Sequence, residues 1–188
     1  MDTEGMDTEG PLLPGAETRG PTEGFLRWMG LWLLRAPRVL AWGLVLAHVA
    51  SIWALSSVSN VGPANDSILW AILGNAAHAP LFGFLGLFLA GALLREGPHG
   101  WARITKGAVV GVLSLVAAYG AIDEWHQSLV PGRNPSLLDL VTDLVGGTCV
   151  LWIVGYLGQS GRTERGLWMR LAGGVALCFA SAIVASVF

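Results

Sequence analysis

Hydrophobic and polar positions alternate along this chain in long blocks rather than at short helical intervals. Five blocks are nearly continuous runs of apolar residues: Val39–Ser57, Ile68–Leu94, Gly107–Leu129, Leu137–Gly158 and Met169–Phe188. Each is long enough to cross a hydrocarbon core about 30 Å thick, which takes roughly 20 residues of helix. Within lipid every backbone amide needs an internal partner, so the blocks are predicted to be helices. The joining segments are short, which makes consecutive helices antiparallel neighbours. A sixth block, Phe25–Leu34, is too short to span. Trp28 and Trp32 share one helical face there, and Arg27, Arg35 and Arg38 lie nearby. Residues 25–36 are therefore expected to form an interfacial amphipathic helix lying in the membrane plane.

Residues 1–24 contrast sharply. They open on a tandem repeat, MDTEG-MDTEG, and continue into a Pro/Gly/Glu-rich stretch whose only adjacent large apolar pair is Leu12–Leu13. Too little apolar surface is present to offset the entropy of ordering, so residues 1–24 read as a disordered acidic tail. A cleaved signal peptide is not expected, because a basic start followed by an early apolar core is missing. The expected organisation is thus a tail (1–24), an interfacial helix (25–36) and a five-helix membrane domain (37–188).

Composition strengthens the membrane reading. Of the 188 residues 53% are hydrophobic and 13% charged, about half the charge density of a typical globular domain. The mean hydropathy is +0.58. The tail is strongly negative, so the remainder carries a net positive charge although the whole chain is −2. A disulfide scaffold and a nucleic-acid partner are poor fits to this balance. Cys149 and Cys178 sit inside apolar runs without a CxxC or a zinc-site spacing. An all-α, polytopic helical membrane protein is the predicted class.

The basic residues orient it. Arg27, Arg35 and Arg38 precede the first span, Arg95, Arg103 and Lys106 separate the second from the third, and Arg162, Arg165 and Arg170 separate the fourth from the fifth. Of eleven basic residues, only Arg133 falls on the other side. The positive-inside rule then predicts a multi-pass cell-membrane protein with a cytoplasmic N-terminus and an extracytoplasmic C-terminus.

On this topology the polar residues of the spans gather in the outer half of the membrane. The second span brings Asn75 and His78. The third ends in AIDEWHQSLV, with Asp123, Glu124, His126 and Gln127, and the outer loop PGRNPS carries Arg133. The fourth re-enters with Asp139 and Asp143 on one face, Asp143 about 6 Å deeper. Small residues at Gly107, Gly111, Ser114, Ala118 and Ala121 predict a smooth stripe on the third span for close helix packing, and Gly146 and Gly147 continue the carboxylate face of the fourth. Ionisable groups at such depth are costly, so they pair or line a cavity. Arg133 is expected to pair with Glu124 or Asp139. His48, alone in the first span, is expected to be packed or hydrogen-bonded.

The order of these residues resembles the VanZ-like family, named for a teicoplanin-resistance membrane protein. His78 comes first, then Glu124-Trp125-His126-Gln127, then Pro131-Gly132-Arg133-Asn134-Pro135-Ser136, Asp139, and finally Gly146 and Gly147. The motif core runs over 78–147. The resemblance implies a small multi-spanning protein connected, in some members, with glycopeptide susceptibility and antibiotic resistance. It points to Glu124, Gln127, Arg133 and Asp139 as the polar signature, with His78 ahead of them. Asp143 stands where the family usually has Asn, and Asn75 where Lys is common.

Three functional readings follow. The first is a VanZ-like protein acting at the outer membrane face in cell-envelope biology or teicoplanin susceptibility. Its polar pocket would lie between the second, third and fourth spans, with His78, Glu124, Gln127, Arg133, Asp139 and Asp143 binding the ligand. The second is an intramembrane enzyme acting on a lipid-linked substrate. Glu124 or Asp139 would serve as general acid or base, His126 or His78 as proton relay, and Arg133 would hold a phosphate or carboxylate. The third is a metal-dependent variant using His78, Glu124, His126, Asp139 and Asp143. No HExxH or equivalent fixes a metal geometry, so neither a metal nor another cofactor is expected. Expected partners are membrane lipid and a lipid-linked envelope precursor or glycopeptide. The oligomeric state is open.

Overall fold

The computed structural model describes residues 20–59, 68–94, 101–133 and 135–187, apart from the side chain of Trp70. Residues 1–19, which hold most of the expected tail, lie outside the described residues, as do Arg95 and Asn134. Among the described residues six helices follow one another: α1 (Pro21–Arg35), α2 (Arg38–Ser56), α3 (Ile68–Leu93), α4 (Lys106–Gln127), α5 (Leu137–Leu157) and α6 (Glu164–Val187). Among the described residues there is no strand, and five helices, α2 to α6, are long and apolar enough to cross a membrane. The protein is an all-α polytopic membrane protein.

Local chemistry sets the helix starts. Thr105 Oγ1 accepts from the Ala108 amide at 3.1 Å, Ser136 Oγ from Leu138 at 3.1 Å and Thr163 Oγ1 from Gly166 at 3.0 Å. These side chains satisfy amides that have no partner in the first turn. The last cap explains why α6 begins at Glu164, five residues before the apolar run that marks its span.

The exterior and interior are inverted relative to a water-soluble bundle. Val39, Leu46, Val110, Leu115, Val175 and Phe179 point outward, while Asp123, Glu124, Gln127, Asp139 and Asp143 are buried. That arrangement suits a surface wetted by lipid. The central helix is α3, which packs against all five others. Its Phe82, Leu85 and Leu89 form the apolar core with Ile52, Val112, Val116 and Leu151.

Helices α3 and α5 pack closely, backbone against backbone. A Cβ on Gly83 would lie 3.3 Å from the Gly146 carbonyl oxygen, and one on Gly86 would lie 3.4 Å from Gly147 Cα. A Cβ on Gly146 would collide with the Ala79 backbone. The stripe expected on the third span is not this seam. Gly107, Gly111, Ser114, Ala118 and Ala121 are all exposed on the outside of α4. What turns α4 is its other face, where Val112 and Val116 enter the core and Asp123, Glu124 and Gln127 escape lipid. Sheltering three polar side chains outweighs the modest gain from packing small ones.

The short N-terminal helix is tied to the arginine-bearing end of the bundle. It starts at Pro21, so residues 21–24, read from sequence as tail, are helical. Proline suits a first helical turn because its missing amide hydrogen would have no partner there. The carboxylate of Glu164 accepts from the amides of Thr22 and Glu23 at 3.2 and 3.1 Å. Glu23 is itself buried and accepts from Arg162 Nε at 2.5 Å. Leu26, Leu31 and Leu34 of α1 pack on Trp101, Tyr156, Leu157 and Leu167. The opposite face presents Phe25, Trp28 and Trp32 outward. A groove of about 380 Å³ opens where α1 turns into α2, lined by Trp28, Leu31, Trp32, Arg35 and Leu40 among others.

Candidate functional site

At the other end of the bundle the polar residues of α3, α4 and α5 meet. His78 lies three turns into α3, Glu124 near the end of α4, and Asp139 and Asp143 in the first two turns of α5. Spacings of three and four residues put Asp139, Asp143 and Gly146 on one helical face. All three are buried there, with Gly147 beside them. The absent side chains of Gly146 and Gly147 let α3 approach closely enough for His78 to reach α5. His78 Nδ1 and Asp143 Oδ1 are 3.0 Å apart. Glu124 Oε2 accepts from the Ser136 amide at 2.6 Å, so the end of α4 holds the start of α5.

His78, Glu124 and Asp139 form the centre of the cluster. One ligand atom from each lies within 4.8 Å of the others. Several acceptor atoms there have no hydrogen-bond partner among the described residues: Glu124 Oε1, Asp139 Oδ1 and Asp143 Oδ2. Their residues are 8%, 5% and 0% exposed. Buried oxygens without partners are costly, so these three mark the place where a further donor or cation would be most favourable.

The remaining polar residues separate into other arrangements. Gln127 donates to Asp123 Oδ2 at 2.8 Å, and Ser56 of α2 donates to Asp123 Oδ1 at 2.5 Å. That carboxylate is satisfied by neutral donors and needs nothing further. His126 lies on a different face of α4 from Glu124. Its ring stacks on Trp53, with centroids 3.7 Å apart, and Ser57 Oγ is 3.4 Å from Nε2. It is not brought to Glu124 or Asp139 as a relay. Asn75 donates to Ser186 Oγ on α6 at 3.0 Å, and His48 bonds the Leu81 carbonyl at 2.8 Å.

The expected pairing of Arg133 is not what forms. Its Nε donates to the Val58 carbonyl at 3.2 Å and its Nη2 to the Leu55 carbonyl at 3.0 Å. These belong to the C-terminal end of α2, where unpaired carbonyls concentrate partial negative charge. The planar guanidinium reaches two of them at once. Neither Glu124 nor Asp139 receives a hydrogen bond from it.

Ser56 and Trp53 are parts of this end of the bundle that sequence reasoning missed, and Ser136, named within the PGRNPS motif, had been given no role in holding Glu124. Ser56 and Trp53 stand in the first span, where His48 alone among the polar residues had been singled out. A hydroxyl at the outer end of an apolar helix, level with the carboxylates of its neighbour, was the available signal.

Neither a curated protein nor a solved structure is significantly similar to the chain. The VanZ/LLP1 family model, however, matches residues 27–158, a stretch that begins within α1 and takes in α2 through α5 and every residue of the polar cluster. A buried His–carboxylate cluster on three helices, carried within that match, gives the conclusion: the chain belongs to the VanZ/LLP1 family.

Proposed function

We propose that this VanZ/LLP1 membrane protein acts at the outer membrane face, in cell-envelope biology and susceptibility to glycopeptides such as teicoplanin. The acting part would be the polar site between α3, α4 and α5. One observation carries the reading: His78, Glu124, Asp139 and Asp143 are gathered at the end of the bundle away from the arginine-bearing loops. Ionisable residues gathered inside a membrane domain are seldom retained for packing alone. Membrane lipid and a lipid-linked envelope precursor or a glycopeptide are the partners that fit this location.

The orientation rests on the basic residues and has a direct test. In a chain with Cys149 and Cys178 replaced by alanine, a cysteine at exposed Ser59 should react with an impermeant maleimide in intact cells. One at exposed Ser160 should react only after lysis. The reverse pattern would move the whole cluster to the cytoplasmic side.

The functional test is Glu124→Gln. The amide keeps the shape and can still accept from Ser136, but loses the charge. Expression and melting temperature should stay near wild type, while the altered teicoplanin susceptibility of an expressing host should disappear. Full activity of well-folded Glu124→Gln would sink the charged-site reading.

A second reading is favoured by the free oxygens of Glu124 and Asp139. In it the protein is an intramembrane enzyme acting on a lipid-linked substrate, with these two carboxyls as acid and base. Arg133, engaged by the end of α2, would not serve as its phosphate clamp.

A further inference from the structure

We propose that His78, Glu124 and Asp139 form a binding site for one divalent transition-metal ion, with Asp143 positioning His78. The inference concerns the site itself and does not depend on which envelope component the protein meets.

The first argument is geometric. Three ligand atoms lying within 4.8 Å of one another surround a common point. Shifts of about 0.7 Å would bring each to the 2.0–2.2 Å typical of Zn–N and Zn–O bonds. The side chains come from three different helices, so no local sequence motif announces them.

The second argument is the unmet valence. Glu124 keeps Oε1 free after giving Oε2 to Ser136, and Asp139 keeps Oδ1 free, both in residues more than nine-tenths buried. Neutral donors already satisfy Asp123, so the buried carboxylate oxygens without a partner among the described residues are those of Glu124, Asp139 and Asp143. Among the described residues Arg133 is the one Lys or Arg placed at this end, and its hydrogen bonds go to backbone carbonyls. Among the described residues no guanidinium or ammonium group hydrogen-bonds Glu124, Asp139 or Asp143. A dication supplies the missing charge and coordinates the free oxygens at once.

The third argument is the Asp143–His78 contact. A carboxylate at 3.0 Å from Nδ1 holds that nitrogen as the protonated one and leaves the Nε2 lone pair for a metal. Metal-bound histidines usually donate their second ring N–H to a carboxylate, which fixes the tautomer and raises ligand basicity. One imidazole with two carboxylates suits Zn²⁺ or Mn²⁺ better than Ca²⁺ or Mg²⁺, which favour all-oxygen shells. Three protein ligands also leave a coordination position for water or a ligand oxygen.

The experiment uses the full chain without a polyhistidine tag, purified in nanodiscs and stripped with chelator. Zn²⁺ and Mn²⁺ are titrated separately, and bound metal is counted by mass spectrometry after desalting. Wild type should retain one ion per chain, and its melting temperature should rise with added metal. Glu124→Gln and Asp139→Asn should each fall below a tenth of that occupancy while the stripped proteins melt no lower than stripped wild type. Asp143→Asn should keep the stoichiometry and weaken binding about 10–100-fold, as expected for a positioning residue. A Cys149→Ala, Cys178→Ala chain should bind as wild type, which separates this site from thiol chelation. The proposal is overturned if wild type binds neither ion, or if both carboxylate variants bind like wild type. Neither result would decide the teicoplanin test of Glu124→Gln, because metal content is read without the phenotype.

Discussion

Gly146→Leu is expected to abolish recovery of folded protein, whereas Gly111→Leu, in a sequence context that looks equivalent, should be tolerated. A Cβ at residue 146 would run into the carbonyl and Cα of Ala79, which are backbone atoms of the opposing helix. No rotamer relieves that collision, so α3 and α5 would have to separate along the seam that seats His78 against Asp143. Overpacking a core costs about 1–3 kcal/mol when side chains can adjust; a backbone clash puts this case at about 3 kcal/mol or more. Gly111 meets no atom within 4 Å and faces outward. Leucine there also gains helix propensity of roughly 0.8 kcal/mol over glycine. Detergent size-exclusion profiles and thermal melts of the two variants provide the comparison. A monodisperse, stable Gly146→Leu would contradict the packing of α3 on α5.

Glu23→Ala should free α1 from the bundle without unfolding the other five helices. The carboxylate is 4% exposed and its partner Arg162 13%, with 2.5 Å between them. Deleting one member of a buried pair leaves the other unpaired, at a cost of about 3 kcal/mol. That corresponds to roughly a hundredfold increase in the opened fraction of α1. Tryptic cleavage at Arg27 and Arg35 should accelerate by a similar factor, and the melting temperature of the remaining bundle should hold. Unchanged cleavage would mean that the leucines of α1 alone keep it docked. The double variant Glu23→Ala, Arg162→Ala should recover part of the loss, because no unpaired charge then remains.

Much of this architecture was legible in the residues. Uninterrupted apolar runs gave five spans whose ends agree with the helices to within two residues, apart from the start of α6, because lipid leaves the backbone no other option. The depth of each carboxylate followed from the same arithmetic, so the meeting of His78, Glu124, Asp139 and Asp143 could be anticipated. Rotation about the helix axis could not. The stripe of small residues from Gly107 to Ala121 on α4 pulled the reading towards the wrong face, and the polar end of the helix decided the matter. Arg133 was misjudged for a related reason: charge arithmetic favours carboxylates, but the carbonyls at the end of α2 are within hydrogen-bond reach and accept two of its N–H groups. The pairing of Glu23 with Arg162 was invisible because it joins residues far apart in sequence across a helix boundary that composition alone placed four residues too late.

The grip of Arg133 on α2 has a mechanical consequence. The carbonyls of Leu55 and Val58 fix the guanidinium, and three residues on the Ser136 amide fixes Glu124. The α4–α5 turn therefore behaves as a strut whose height is set by the length of a helix that contributes no ligand to the central trio. Losing one residue from α2 would draw that strut inward by about 1.5 Å, and Glu124 would register the change two helices away from where it was made.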